Sequence, residues 1–224
     1  MKPNFDRIGR VYRWLEYASL GTALTRCRNH FLTQLTGCKQ ALILGDGDGR
    51  FSARLLAANP AIQVEAVDLS GRMLELLRRR SAFAGSRLTT HLADARSFIA
   101  THAPDLIVTH FLLDCLTQAE VDCLIDRLAG QLVPGGLWVV SEFRIPNGPL
   151  HWAARAYIRT LYLAFRVLTG LRVNRLPDYA TPLRNAGLVP IAIHHSLLGL
   201  LTTELWGKWP LKEVPTRKKE SLSG

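Results

Sequence analysis

Short apolar runs alternate with amphipathic stretches along the middle of the chain. We interpret the runs as buried strands, and the stretches with apolar residues every three or four positions as helices. The predicted strands are 41–45, 62–67, 88–92, 105–110 and 137–143, and the predicted helices are 50–58, 70–80, 96–101 and 117–131. Because strands that alternate with helices are joined by crossover connections, this order predicts a parallel sheet with helices on both faces.

The pattern changes after residue 144. An aromatic-rich helix is predicted over 151–170 and a shorter one over 176–187, followed by two strand-like runs, 188–195 and 200–206, which suggest an antiparallel pair. No long linker interrupts the chain, so we expect a single domain over 1–216. The polar tail, 217–224, is expected to be disordered.

A glycine-rich loop follows the first predicted strand. Gly45-x-Gly47-x-Gly49 lies between strand and helix, a position where glycines let a ligand approach backbone N–H groups. Asp68 ends the next strand, where an acid can bind a ribose. Arg50 stands where a dinucleotide-binding loop needs its third glycine, and no Gly-Lys-Ser/Thr is present. These features predict a nucleoside cofactor without a pyrophosphate, with S-adenosyl-L-methionine as the candidate.

Five ordered motifs within 40–143 resemble those of class I S-adenosylmethionine-dependent methyltransferases. They are Leu42–Gly49, Val67-Asp-Leu-Ser70, Leu92-Ala-Asp-Ala95, Pro104–Phe111 and Leu132-Val-Pro-Gly-Gly136. The resemblance implies an α/β, Rossmann-like fold with a mostly parallel seven-stranded sheet, an antiparallel final strand and helices on both faces. It also divides the domain into an N-terminal helical lid (1–40), a cofactor-binding core (41–143), a helical insertion on the substrate side (144–187) and the final strands (188–206).

The resemblance also implies a set of cofactor-binding residues. They are Gly45, Asp46, Gly47, Gly49, Asp68, Leu69, Met73, Asp94, Ala95 and Thr109. Asp68 would accept both ribose hydroxyls, with Leu69 and Met73 near the adenine and Asp94 at its amino group. One position departs from the family pattern, because Ile43 stands where an acid usually helps to hold the methionine portion. Asp46 and Asp48 are candidates to replace that acid, or are ordinary turn residues.

Residues at the carboxyl ends of the fourth and fifth predicted strands are the candidates for catalysis. A general base is needed only if the methyl acceptor must lose a proton. His110 could act as that base or be a structural histidine, and Glu142 could orient the substrate. Five further residues are expected on the substrate side: Tyr12, Trp14, Phe111, Asp114 and His151. The segments that contain Phe5–Tyr17 and Leu176–Leu188 are similar to methyltransferases of ubiquinone and menaquinone biosynthesis. No metal site is predicted.

Positive charge is concentrated in the flanks of the predicted cofactor-binding core. The chain has a net charge of +10, and residues 144–224 hold twelve Lys and Arg against four Asp and Glu. A basic flank favours an anionic substrate, an anionic membrane surface or nucleic acid, or is a solvated surface. The four cysteines and the absence of a signal-like apolar start favour a cytoplasmic protein, with peripheral membrane contact as an extension.

These observations predict a methyltransferase acting on a small lipophilic or aromatic acceptor. Nucleic-acid methylation is the less favoured alternative, since Asn/Asp-Pro-Pro-Tyr/Phe is absent after the fourth strand. A catalytically silent cofactor-binding protein is the other, because Ile43 is not an acid. The sequence leaves the oligomeric state open.

Overall fold

The structure is a computed structural model that describes residues 22–146, 148–149, 151–152, 154–160 and 175–209. Its helices and strands, in chain order, are α1 (Thr22–Asn29), β1 (Gln40–Leu44), α2 (Arg50–Ala58), β2 (Gln63–Asp68), α3 (Gly71–Arg80), β3 (Leu88–Leu92), β4 (Leu106–His110), α4 (Gln118–Gln131), β5 (Leu137–Phe143), α5 (151–152 and 154–160), α6 (Ala180–Asn185), β6 (Leu188–Ser196) and β7 (Leu201–Lys208). The predicted lid residues 1–21, including Tyr12 and Trp14, and the tail 217–224 lie outside the described residues.

The strands form one seven-stranded sheet in the order β3-β2-β1-β4-β5-β7-β6. β7 is antiparallel to both of its neighbours, and the other neighbouring strands pair in parallel. This arrangement confirms the predicted fold class, including the antiparallel final strand. The parallel strands end at one side of the sheet, which we call the carboxyl edge. Ligands of open α/β sheets bind at this edge.

Helices cover both faces of the sheet. On the first face, Ile43 and Val108 share a buried cluster with Phe51 and Leu55 of α2. On the second face, α4 and part of α6 pack on alternate residues of the same strands, including Leu44 and Trp138. Alternation of side chains along each strand produces the two layers, and this alternation fixes which residues of the carboxyl edge lie on which face.

Local capping residues set several helix boundaries. The Ser70 hydroxyl accepts a hydrogen bond from the Met73 amide at the start of α3. Thr117 and Glu120 form a capping box at the start of α4. Asp178 accepts hydrogen bonds from the amides of Ala180 and Thr181, so α6 begins at Ala180 and is shorter than the predicted 176–187 helix.

The predicted helix over 96–101 is wrong, because this segment is a turn followed by irregular chain. The Asp94 carboxylate accepts a hydrogen bond from the Arg96 amide and pairs with the Arg96 guanidinium. The next amides also donate to side chains, Ala100 to Gln131 and Thr101 to Glu65. Hydrogen bonds from side chains to the backbone compete with the helical pattern, and here they replace it.

The flanks of the core agree in outline with the sequence prediction. The described part of α5 coincides with the start of the predicted 151–170 helix, and residues 161–174 lie outside the described part. The last two strands form the predicted antiparallel pair. All four cysteines are free; Cys27 and Cys38 are buried, whereas Cys123 is exposed. Among the described residues, no helix is long and apolar enough to cross a membrane.

Candidate active site

The loop between β1 and α2 depends on glycine at each of three positions. Gly45, Gly47 and Gly49 have φ values of 70°, 65° and 77°. A Cβ at Gly49 would lie 2.5 Å from Leu77 Cγ and 2.7 Å from its Cα, so α3 packs directly against this glycine. A Cβ at Gly47 would meet nothing within 4 Å. Gly49 is therefore needed for packing, whereas Gly47 leaves open space beside the backbone at the carboxyl edge.

Asp68 ends β2 next to this loop. Its carboxylate accepts a hydrogen bond from the Ser70 amide at 2.8 Å. Burial raises the pKa of Asp68 to about 6, although the amides of Ser70 and Gly47 act in the opposite direction. Leu69 is exposed, and Met73 is buried in the first turn of α3. Asp68 is thus ionised near neutral pH and has capacity to accept further hydrogen bonds.

Asp46 and Asp48 of the loop have different surroundings. Asp46 is 6% exposed, and its Oδ2 accepts hydrogen bonds from the amide and hydroxyl of Ser52, at 2.9 and 2.6 Å. Its Oδ1 is buried and has no hydrogen-bond partner among the described residues. Asp48 instead pairs with the guanidinium groups of Arg50 and Arg80. Asp46 therefore keeps one carboxylate oxygen for a ligand, and Asp48 is occupied by arginines.

His110 is the last residue of β4 and is 2% exposed. Its Nδ1 lies 2.9 Å from Ser141 Oγ on β5, and the Ser141 hydroxyl donates to Thr203 Oγ1 on β7 at 2.9 Å. The Phe51 ring packs edge-on against the imidazole, with the ring centroids 4.6 Å apart. Burial and then the charge of Arg28 lower the pKa of His110 well below its usual value. His110 is therefore a neutral, fixed imidazole.

Two buried carboxyl groups lie beyond His110. Glu142 of β5 accepts hydrogen bonds from the amides of Leu112, Leu113 and Asp114. Burial and the neighbouring Asp114 raise the pKa of Glu142, and burial also raises the pKa of Asp114. Because two buried carboxylates repel each other, the pair retains a proton at higher pH than isolated acids would. Glu142 holds the loop after β4 against β5.

Arg28 of α1 contributes a cation that the sequence prediction missed. Its guanidinium carbon lies 5.1 Å from the centroid of the Phe111 ring, and Phe111 has a φ of 53°, which is strained for a residue with a side chain. Burial dominates the pKa shifts of Asp46, His110 and Asp114, and the charge of Arg28 lowers the pKa of each. Arg28 thus adds its positive charge to the buried acids of the carboxyl edge.

Comparison with known proteins bears on what this edge binds. The family described as "Methyltransferase domain" matches residues 41–136, which include the glycine loop and Asp68. Residues 41–136 therefore match a methyltransferase domain. The match agrees with S-adenosylmethionine, the methyl donor that the sequence predicts.

Two curated relatives resemble parts of the chain. Polyamine aminopropyltransferase 2 of Bacillus anthracis is 31% identical over 132 residues, covering 51% of this chain and 36% of the relative. Trans-aconitate 2-methyltransferase of Methylobacterium radiotolerans is 38% identical over 116 residues, covering 52% of this chain and 42% of the relative. The chain therefore spans less than half the length of either relative.

A solved structure shows the same fold as the methyltransferase domain and its flanks. The N-methyltransferase NodS from Bradyrhizobium japonicum WM9, crystallised with S-adenosyl-L-homocysteine, has a TM-score of 0.63 and 18% identity. The match covers 83% of this chain and 87% of that one. At this identity the likeness establishes the fold.

The structure brings some of the predicted site residues together and separates others. The glycine loop, Asp68, His110, Phe111, Asp114 and Glu142 lie at the carboxyl edge of the methyltransferase domain. Thr109 does not present its side chain there, because it is fully buried on the second face and its hydroxyl accepts a hydrogen bond from Trp138. The Ala95 carbonyl accepts a hydrogen bond from Arg127. His151 begins α5, where its ring contacts that of Trp152.

Several contributing residues carry no sequence signal. Ser52 and Thr203 resemble ordinary helix and strand residues, and they acquire a role only through Asp46 and Ser141, the partners that the fold supplies. Arg28 lies in the basic flank before the glycine loop, where no motif distinguishes it from the other arginines. The packing of α1 on Phe111 and Leu201 brings Arg28 to the carboxyl edge.

Proposed function

We propose that the protein is an S-adenosylmethionine-dependent methyltransferase that acts on a small lipophilic or aromatic acceptor. The observation that carries the proposal is the combination of open space beside Gly47 with accepting groups on either side of it. Those groups are the ionised carboxylate of Asp68 and Oδ1 of Asp46, which has no hydrogen-bond partner among the described residues. A nucleoside that carries an amino-acid chain offers hydrogen-bond donors on its ribose and on that chain, which suit a site with several acceptors.

The proposed roles of the cofactor residues follow from these contacts. Asp68 accepts hydrogen bonds from the ribose hydroxyls, and the glycine loop supplies backbone N–H groups. Leu69 and Met73 border the adenine. Asp94 and Ala95 remain proposed for the far side of the adenine, although the Asp94 carboxylate is already paired with Arg96. The cofactor supplies an activated methyl group, so the protein mainly has to align the acceptor and exclude water.

The acceptor side is proposed to lie over the ends of β4 and β5. Phe111 provides an apolar wall, and the Asp114–Glu142 pair provides a carboxyl group whose raised pKa suits proton uptake near neutrality. Glu142 is a positioning residue, because three backbone amides occupy its carboxylate. His110 is a poor general base, since burial lowers its pKa far below the working pH.

The outer face of α5 supports a peripheral contact with an anionic membrane. Trp152 is 74% exposed, and Arg155 and Arg159 are exposed while Ala154 and Ile158 are buried beneath them. An exposed tryptophan next to arginines is typical of helices that lie at a lipid surface. The basic flank would bring such a surface close through its long-range field.

Isothermal titration calorimetry with S-adenosylmethionine, S-adenosylhomocysteine and NAD tests the cofactor assignment. We expect binding of the first two and no measurable binding of NAD. Asp68→Ala should weaken S-adenosylhomocysteine by roughly 1.5–3 kcal/mol for each charge-assisted hydrogen bond lost. A preference for NAD, or unchanged affinity in Asp68→Ala, contradicts the proposal.

A further inference from the structure

The described site contains two buried hydrogen-bond acceptors that the contacts above leave unused. One is Oδ1 of Asp46 and the other is Nε2 of His110; neither has a hydrogen-bond partner among the described residues. Their side chains belong to residues that are 6% and 2% exposed. A buried acceptor without a partner has lost the hydrogen bonds that water would give it. Both atoms therefore point to a ligand that brings hydrogen-bond donors.

The two acceptors belong to neighbouring strand ends. Ile43 pairs with Val108 and Leu44 pairs with Thr109, so the register places Gly45 beside His110 one step further along the two strands. Gly45 has no side chain, and Asp46 follows it directly. The start of α2 contacts both His110 and Asp46, because the Phe51 ring packs on His110 and the Ser52 hydroxyl donates a hydrogen bond to Asp46. The charge of Arg28 also reaches both.

Hydroxyl groups on the neighbouring strands determine which nitrogen of His110 accepts. We infer that the Ser141 hydroxyl donates its hydrogen bond to Thr203 Oγ1, which leaves Ser141 Oγ to accept from His110 Nδ1. With its proton on Nδ1, the neutral imidazole has its lone pair on Nε2. Ser141 and Thr203, both fully buried, thus keep Nε2 as a pure acceptor. The Ser52 bonds similarly fix Asp46 so that Oδ1 is the oxygen left over.

We propose that Asp46 Oδ1 and His110 Nε2 together bind the ammonium group of the cofactor's methionine portion. The ammonium group has three N–H donors and a positive charge, so it satisfies both acceptors and neutralises the buried carboxylate. Ile43, where the family resemblance leads one to expect an acid, is apolar and buried on the same face. His110 lies one pleat closer to the carboxyl edge and performs that role together with Asp46. The proposal rests on the proposed cofactor.

Two ligands that differ by the amino-acid portion test the proposal by calorimetry. S-adenosylhomocysteine carries the ammonium group, and 5′-methylthioadenosine has the same adenosine and thioether without it. Asp46→Asn and His110→Phe should each weaken S-adenosylhomocysteine about tenfold or more while changing 5′-methylthioadenosine less than about twofold. Asp48→Asn is the matched control, because Asp48 is paired with arginines, and it should affect neither ligand.

The outcomes separate this inference from the proposed function. If the wild type binds neither ligand, the cofactor assignment itself fails. If it binds both, and the Asp46 and His110 variants weaken the two ligands equally or not at all, only the ammonium site is wrong. Thermal unfolding of each variant by circular dichroism verifies that it is folded.

Nuclear magnetic resonance of protein labelled with ¹⁵N-histidine provides a second readout that needs no substitution in the site. His110 Nε2 should resonate as an unprotonated nitrogen and move when S-adenosylhomocysteine is added, but not with 5′-methylthioadenosine. An Nε2 that carries the proton, or that ignores S-adenosylhomocysteine, overturns the proposal.

Thr203→Val tests the positioning role of the Ser141 and Thr203 hydroxyls. Without Thr203 as its acceptor, the Ser141 hydroxyl should donate its hydrogen bond to Nδ1. The neutral imidazole would then carry its proton on Nε2, and an N–H there would repel the ammonium group. We expect an exchanged pair of ¹⁵N resonances and a selective loss of S-adenosylhomocysteine affinity. Thr203→Ser, which keeps the hydroxyl, should restore both. An unchanged tautomer in Thr203→Val contradicts the inferred direction of the hydrogen bond from Ser141 to Thr203.

Discussion

Gly49 and Gly47 should respond in opposite ways to the same substitution. Gly49→Ala places a methyl group 2.5 Å from Leu77 Cγ and 2.7 Å from its Cα at a φ of 77°. The left-handed conformation costs about 1–2 kcal/mol for a residue with a side chain. Displacing a packed helix costs about 1–3 kcal/mol more. Because the obstruction includes backbone, it cannot be relieved by a rotamer change alone. We expect Gly49→Ala to lower the free energy of unfolding by about 2–5 kcal/mol.

Gly47→Ala introduces the same methyl group at a φ of 65°, where nothing lies within 4 Å. Only the conformational cost of about 1–2 kcal/mol applies to its stability. The methyl group would instead occupy the space through which the cofactor approaches the loop, so S-adenosylhomocysteine affinity should fall.

Urea unfolding monitored by circular dichroism gives the stability of each variant, and calorimetry at a temperature where both are folded gives the affinity. The reasoning is refuted if the two variants lose equal stability, because the contact with Leu77 would then add nothing to the destabilisation. It is also refuted if Gly47→Ala binds S-adenosylhomocysteine as the wild type does, because the open space would not be the ligand's.

Three further predictions concern other parts of the site. S-adenosylhomocysteine affinity should fall as the pH drops below about 6, since burial raises the pKa of Asp68 to about 6 and only its ionised form accepts both ribose hydroxyls. Calorimetry across pH should show a much flatter profile for Asp68→Asn, and equal profiles would contradict this role. Glu142→Ala leaves the amides of Leu112, Leu113 and Asp114 without their acceptor, so urea unfolding should show a loss of about 3 kcal/mol or more; a loss under about 1 kcal/mol would mean that the loop is held otherwise. Replacing Arg155 and Arg159 by Gln should reduce sedimentation with anionic liposomes at low salt while S-adenosylhomocysteine affinity stays unchanged, and a wild type that does not sediment would exclude the membrane contact.

The sequence predicted most of the fold because strand and helix periodicities are local. The glycine loop, the acid at the end of β2 and the capping residues of α3 and α4 are each defined by a few neighbouring positions. One exception is the segment 96–101, where Glu65 and Gln131, both distant in sequence, accept from the amides that a helix would have used. A periodic pattern cannot register such distant acceptors.

The site residues show the same difference between features that depend on local sequence and features that depend on distant residues. The turn conformations of Gly45, Gly47 and Gly49 and the place of Asp68 at a strand end were predictable from the sequence, because both leave a local pattern. Which of Asp46 and Asp48 keeps an unpaired oxygen depends on Ser52, Arg50 and Arg80, and the proposed tautomer of His110 depends on two hydroxyls on β5 and β7. Arg28 reached the carboxyl edge only because α1 packs there. Hydrogen-bond partners and burial set the charge and direction of a polar group, and both arise from residues far apart in the chain, so only the tertiary structure fixes them.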